Sequence, residues 1–271
     1  MHIVWSKCIK SSNLWEPEYF GVFYKLNNEI TYFFKEYDNV FALSEKNNEP
    51  RIIYSCFNGV RLSLPRKWTI VENNDNVFLL FSENQGFDLK KNEFSYHIPV
   101  QMQSAYNSFV RPEEYYVEAA YDLGEYRIEH KGNCGYVCKA KGIPIWEFRG
   151  RAYLYTDMVQ WNNRVFFGTA GNGGYFYVLD LESGQNLVSI KTGGTRSFVQ
   201  LGNLCYILSN EKNAKLLSID LSSGRTICHC DLPGTATTNS KIAIVDNLIQ
   251  TITYDIAGKR TKSAIWSCIE L

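Results

Sequence analysis

The chain has 271 residues, 15% of them aromatic with 18 tyrosines, and its 28 basic residues balance 28 acidic ones. That neutrality argues against a dedicated nucleic-acid binder, which needs an excess of Lys and Arg on one face, and against an acidic decoy of nucleic acid spread over the surface. No run of about 20 apolar residues occurs, so no helical membrane span is expected.

The first segment, Met1-His2-Ile3-Val4-Trp5-Ser6-Lys7-Cys8, alternates in strand fashion. It lacks the basic start, apolar run and small-residue cleavage site of an export signal, so a cytoplasmic location is expected. Further on, Gly86 and Asp88 begin a turn phrase that recurs later. Residues 100–116 form the longest irregular connection and carry Tyr106, Phe109, Arg111, Glu113, Glu114, Tyr115 and Tyr116. Long connections in compact domains often carry function. The stretch Arg111 to Tyr121 is the nearest candidate for an amphipathic helix and reads equally as a strand. Between Glu113 and Glu129 six acids face only Arg127, so a locally negative edge is expected there.

The Gly-rich run Thr169 to Tyr175 lacks the Lys-Ser/Thr ending of a phosphate loop and precedes a strand, which makes it a hairpin loop. Tyr175 to Leu181 reads as a strand that ends in Leu179-Asp180-Leu181-Glu182-Ser183-Gly184, and Ile219-Asp220-Leu221-Ser222-Ser223-Gly224 repeats that phrase 40 residues later. An acid followed by a Ser-Gly pair between apolar runs describes a tight hairpin, and the period describes stacked supersecondary units. The acids Asp88, Asp180 and Asp220 fit turns whose backbone N–H groups a carboxylate can accept. The final strand, Ala264 to Leu271, reads like Tyr175 to Leu181, the third strand of its unit.

These phrases resemble the repeat of quinoprotein (PQQ-like) β-propellers, in which a small residue, an acid two on, a Thr-Gly turn and a Trp recur in each blade. Val178, Asp180, Ser183, Gly184 and Val188 follow that pattern, as do Ser218, Asp220, Ser223, Gly224 and Cys228, with the Trp replaced. Gly142 and Trp146 have the spacing of turn and docking Trp, while Gly86, Asp88 and Tyr96 place a Tyr there. Taking Trp5, Ile52, Tyr96, Trp146, Val188 and Cys228 as equivalent gives steps of 47, 44, 50, 42 and 40 residues. The resemblance implies an all-β fold: a single propeller domain over residues 1–271, with six blades, or seven as the alternative. The N-terminal strand would complete the last blade, which leaves no open seam.

The larger relatives in that family include exported dehydrogenases that hold pyrroloquinoline quinone beside an adjacent-cysteine disulfide and a calcium ion. This chain has no Cys-Cys pair, so no cofactor is expected. Cys228, His229 and Cys230 alternate across a strand and cannot chelate one ion, and Cys134 and Cys138 lack a partner pair, so no metal is expected either. The four histidines are too dispersed to single out a catalytic base, and no enzymatic activity is expected.

Function then falls to the rims of the ring. One rim would collect the connections between blades and the second-to-third-strand hairpins, with Tyr106, Phe109, Arg111, Glu113, Glu114, Arg149, Arg151, Tyr153, Tyr155, Asn172, Arg196 and Asn213. Tyr and Arg are the residues that most often anchor protein interfaces. The expected activity is non-enzymatic protein binding by a monomer that forms a heterodimer. The chain also resembles, in architecture alone, immunity proteins of bacterial contact-dependent growth inhibition systems, which implies a basic nuclease toxin as partner and its active site as the thing covered. The competing expectation is an enzyme or glycan-binding propeller with a ligand in the central pore, using Trp15 or Trp161 to stack a sugar.

Overall fold

The computed structural model describes residues 1–10, 21–36, 39–55, 69–73, 75–80, 85–99, 120–154, 156–170, 173–193, 198–210, 213–237, 240–258 and 260–271. Among these, every regular element is a β-strand. In chain order, β1 (His2–Lys10) is followed by a first sheet of β2 (Gly21–Leu26), β3 (Glu29–Glu36), β4 (Asn39–Ser44) and β5 (Arg51–Ser55). A second contains β6 (Thr69–Glu72), β7 (Val77–Leu80), β8 (Gly86–Asp88) and β9 (Glu93–Ser95), and a third β10 (Tyr121–Leu123), β11 (Tyr126–Lys131), β12 (Gly135–Ala140) and β13 (Ile143–Arg149). The fourth has a broken first strand, β14 (Tyr153–Leu154) and β15 (Val159–Trp161), both paired with β16 (Arg164–Ala170), then β17 (Tyr175–Asp180) and β18 (Asn186–Lys191). A fifth holds β19 (Phe198–Leu201), β20 (Leu204–Ser209), β21 (Lys215–Asp220) and β22 (Thr226–Asp231). The last comprises β23 (Lys241–Val245), β24 (Leu248–Ala257) and β25 (Arg260–Glu270). Each of the first five sheets runs antiparallel in sequence order, the up-and-down meander from which propeller blades are built.

The sixth sheet has the order β1-β25-β24-β23, so the N-terminal strand supplies its outer edge. Lys7 pairs with Trp266 and Trp5 with Cys268. The Trp5 and Trp266 rings meet edge to face with centroids 5.0 Å apart. Ser6 Oγ and Ser267 Oγ lie 2.8 Å apart, and Lys7 Nζ sits 4.4 Å above the Trp266 ring. Trp266 itself is fully buried.

The chain resolves into two compact units. The larger comprises residues 1–10 and 116–271, and the smaller residues 11–115. Within the larger unit the sheets pack face to face in series. Tyr136, Cys138 and Trp146 of the third meet Val165, Phe167, Tyr177 and Leu179 of the fourth. From its other face the fourth sends Phe166, Phe176, Val178 and Val188 against Cys205, Ile207 and Ile219 of the fifth. Tyr206, Leu208 and Leu216 then pack on Ile242, Ile249 and Ile269 of the sixth. A strand alternates its side chains, so a central strand buried on both faces must be apolar there, which explains the run Phe176 to Leu179. Each large side chain so buried contributes about 1.5–3 kcal/mol. In the smaller unit Phe33, Val40 and Ala42 pack on Val77, Leu79 and Phe87.

The outer strands of five of these sheets share one irregularity. The register slips by one residue after Cys138–Trp146, Val178–Val188 and Ser218–Cys228, and likewise beside Cys268–Trp5. These bulges fix which residue occupies the docking place, and they bear out Trp5, Trp146, Val188 and Cys228 as equivalent. Two expectations need correction. In the first sheet the slip follows Val40–Tyr54, so Tyr54 takes that place, while Ile52 is 53% exposed. In the second sheet β8 and β9 pair without a bulge, Gly86 facing Ser95. The missing extra residue shifts the pattern by one, so Tyr96 lies beyond β9, 64% exposed and edge-on to Phe94.

Candidate functional site

The turn acids act as the sequence suggests. Asp180 Oδ1 accepts the Ser183 backbone N–H and hydroxyl, at 2.9 and 2.7 Å. Asp220 Oδ1 accepts the Ser222 N–H at 2.7 Å, and Asp88 Oδ1 those of Lys90 and Lys91 at 2.9 and 3.2 Å. The Ser222 hydroxyl and N–H, with help from Ser223, hold the Asp220 carboxyl down at about 2. For Asp180, burial would raise the carboxyl, but the bonds from Ser183 and Glu182 outweigh it and lower it. The Asp180 and Asp220 carboxylates are thus fixed in their turns and are poor proton donors at neutral pH.

The same turns dock one sheet on the next. Gly184 holds φ at 70°, and a Cβ there would lie 2.6 Å from the Trp146 indole. Trp146 Nε1 donates to the Leu181 carbonyl at 2.8 Å. Between the fourth and fifth sheets Val188 lies over Gly224 in the same way but has no N–H to give. The Arg164 guanidinium donates instead to the Leu221 carbonyl, the counterpart of Leu181. Sequence reasoning missed that substitution, because Arg164 is adjacent to this turn only once the sheets have stacked.

At the opposite ends of the strands, the second-to-third-strand hairpins and the exits of the outer strands come together. Arg149 ends β13 opposite Gly135, and with Lys131, Cys134, Tyr136 and Phe148 it lines a cleft of about 580 Å³. Tyr136 is buried and its hydroxyl has no protein partner. Burial, together with nearby Cys134, pushes its pKa up strongly, so it stays a neutral donor. The Arg151 N–H donates to the Tyr177 hydroxyl at 3.1 Å. Its guanidinium donates to the Tyr175 hydroxyl at 3.0 Å. Tyr153 is 51% exposed beside it. A second cleft, of about 730 Å³, lies between the fourth and fifth sheets and is lined by Gly173, Lys191, Gly193, Ser209, Asn210, Lys215 and Leu217.

Of the residues expected to bind a partner, the structure therefore brings Arg149, Arg151 and Tyr153 to one rim, with Asn213 in the β20–β21 hairpin beside the second cleft. Tyr106, Phe109, Arg111, Glu113, Glu114, Tyr155, Asn172 and Arg196 lie outside the described residues. The expected negative edge is partly neutralised. Arg127 bridges to Asp122 at 2.7 Å and to Glu129 at 3.2 Å, and Lys139 reaches Glu129 at 2.6 Å.

Among the described residues no cluster of His, Cys, Asp and Glu could hold a metal ion. Cys228 and Cys230 lie along β22 with His229 between them, and Cys138 is buried in β12, where burial pushes its thiol up to about 11.

No protein-family model matches the chain, and no curated protein matches it. Among solved structures it is similar to the computationally designed Ika8 protein, at 10% identity over 92% of this chain and 70% of that one, with a TM-score of 0.43. It is also similar to BamB from Moraxella catarrhalis, at 8% identity over 90% and 80% and a TM-score of 0.38. A chain of a mitotic checkpoint complex has 8% identity over 98% and 93%, with a TM-score of 0.37.

Proposed function

We propose that the six sheets are the blades of one propeller closed by β1, and that the chain is a non-enzymatic module whose hairpin rim binds another protein. The observation that carries this reading is the group Arg149, Arg151, Tyr153 and Tyr175 on one exposed rim beside two clefts. Arg and Tyr bury much area and keep a polar tip, which suits them to anchor an interface. The Arg151–Tyr175 bond holds one anchor in place before any partner arrives, which lowers the ordering cost of association. A narrower form of the proposal is a cytoplasmic immunity protein that covers the active site of a cognate nuclease toxin. A rigid rim could do this sterically, with an interface of about 1,600 Å².

The experiment is capture of a partner from the native source with the tagged chain, followed by Tyr153→Ala and Arg151→Ala. A stoichiometric partner whose affinity drops about tenfold or more in the variants supports the reading, since anchors of this type carry at least ~2 kcal/mol. Undiminished capture by both variants refutes the use of this rim. For the narrower form, the captured protein must have nuclease activity that the chain abolishes in vitro.

A further inference from the structure

Seven cysteines among the described residues are free thiols, and their surroundings differ. Cys138, Cys205 and Cys268 are buried in β12, β20 and β25. Cys228 and Cys230 are half-buried along β22, their thiols turned to the carbonyls of His229 and Asp231 at 3.6 and 3.7 Å. Cys8 is exposed on β1 and lines neither cleft. Cys134 is half-buried on the wall of the cleft of about 580 Å³, in the hairpin between β11 and β12. Its carbonyl accepts the Gly150 N–H at 2.8 Å and the next residue, Gly135, pairs with Arg149, so the backbone that carries this thiol is held from both sides. Tyr136 lines the same cleft, is 1% exposed, and its hydroxyl has no hydrogen-bond partner. Burial is the main cause that raises the Tyr136 pKa, and the charge of a Cys134 thiolate comes next, which puts the sulfur close to that hydroxyl.

We propose that Cys134 is a site of reversible S-thiolation, and that the cleft beside it holds the body of the attached group, a small peptide thiol of the glutathione class. The site does not depend on the protein-binding reading. The reaction is exchange with a low-molecular-weight disulfide, RSSR: the Cys134 thiolate attacks one sulfur, the Cys134–S–S–R bond forms and the RS–SR bond breaks. The released RS⁻ takes up the proton that Cys134 gave to solvent, and RSH reverses the step. Cys134 is oxidised as one sulfur of RSSR is reduced, so no further oxidant is needed. Two features select this thiol and this class of adduct. A cleft of about 580 Å³ suits a body of peptide size, since sites for small molecules span about 300–1,000 Å³. The Tyr136 hydroxyl can donate to an amide carbonyl or accept from an amide N–H, and either bond gives a buried polar group the partner it lacks. At Cys8 a thiol is more accessible, but an adduct there has no cleft to enter.

The test equilibrates the full reduced chain with mixtures of oxidised and reduced glutathione, quenches exchange with acid, and reads the occupancy of each cysteine by peptide mass mapping. Cys134 should be half-modified at a ratio of reduced to oxidised glutathione about tenfold or more higher than Cys8 requires. Tyr136→Phe keeps the ring and removes an unpartnered hydroxyl, so the fold should survive it. In that variant the Cys134 midpoint should move about threefold or more toward oxidising mixtures while the Cys8 midpoint stays in place. With cystamine and cysteamine, which carry no amide and are too small to fill the cleft, the preference for Cys134 over Cys8 should shrink. Equal midpoints for Cys134 and Cys8 in glutathione would overturn the site. An unmoved Cys134 midpoint in Tyr136→Phe, or an equal preference with cystamine, would overturn the role of the cleft in holding the adduct.

Discussion

Trp146 shows how one side chain ties two sheets. Its indole covers Gly184 and its N–H reaches the Leu181 carbonyl, so removing it opens a cavity and orphans an acceptor together. Trp146→Ala should cost about 3–5 kcal/mol in denaturant unfolding. At the next junction the two tasks are divided, Val188 filling the space and Arg164 making the bond. Arg164→Ala should therefore destabilise by about 1.5–3 kcal/mol although the residue reads as a surface arginine. Asp220 belongs to the same turns. Its carboxyl has an ordinary value of 3.8 and is held at about 2 in the fold, so its contribution is complete above pH 4 and disappears as pH falls through 2. Unfolding curves of the parent chain and Asp220→Ala should therefore differ most at neutral pH and converge between those values. A difference that persists below pH 2 would assign the residue another role.

At the scale of the element, the unit is a hairpin with a positive-φ glycine and a bulge in its outer strand. The glycine is legible in the sequence, since Gly184 at 70° and Gly224 at 71° adopt a conformation that costs other residues about 1–2 kcal/mol. The bulge is not legible, because it demands no residue type. That is why spacing alone assigns Ile52 and Tyr96, while pairing assigns Tyr54 and leaves the second sheet without the motif. The bulges turn Val4, Ile145, Leu187 and Ile227 outward in four different sheets while their neighbours Trp5, Trp146, Val188 and Cys228 take the docking position. A bulged edge is a poor template for a further strand, which protects these exposed runs from edge-to-edge pairing. Leu187→Lys should consequently change stability by less than about 0.5 kcal/mol, whereas Val188→Lys, one residue on, should destabilise strongly. Equal effects at the two positions would contradict the register.

At the scale of the molecule, the repeat period and the likeness between the last strand and Tyr175 to Leu181 foretell the sheet order, including the use of β1 beside β25. The candidate site was legible only in part. Arg149, Arg151 and Tyr153 follow from the rule that residues at strand ends gather at a rim, but only stacking of the sheets brings Tyr136, Lys191 and Lys215 to the clefts.

The proposed ring depends on the first strand being zipped to the last, and Ser6 facing Ser267 allows a direct measurement. In a Ser6→Cys/Ser267→Cys chain that also carries Cys8→Ser, mild oxidation should form a disulfide between the termini. It should appear as a faster-migrating species on a non-reducing gel, and the unfolding midpoint should rise, with a loop-entropy gain of up to about 5 kcal/mol. Thiols that stay free under the same oxidation would mean that the two strands do not share a sheet, and the proposed ring and the proposed binding rim would lose their basis.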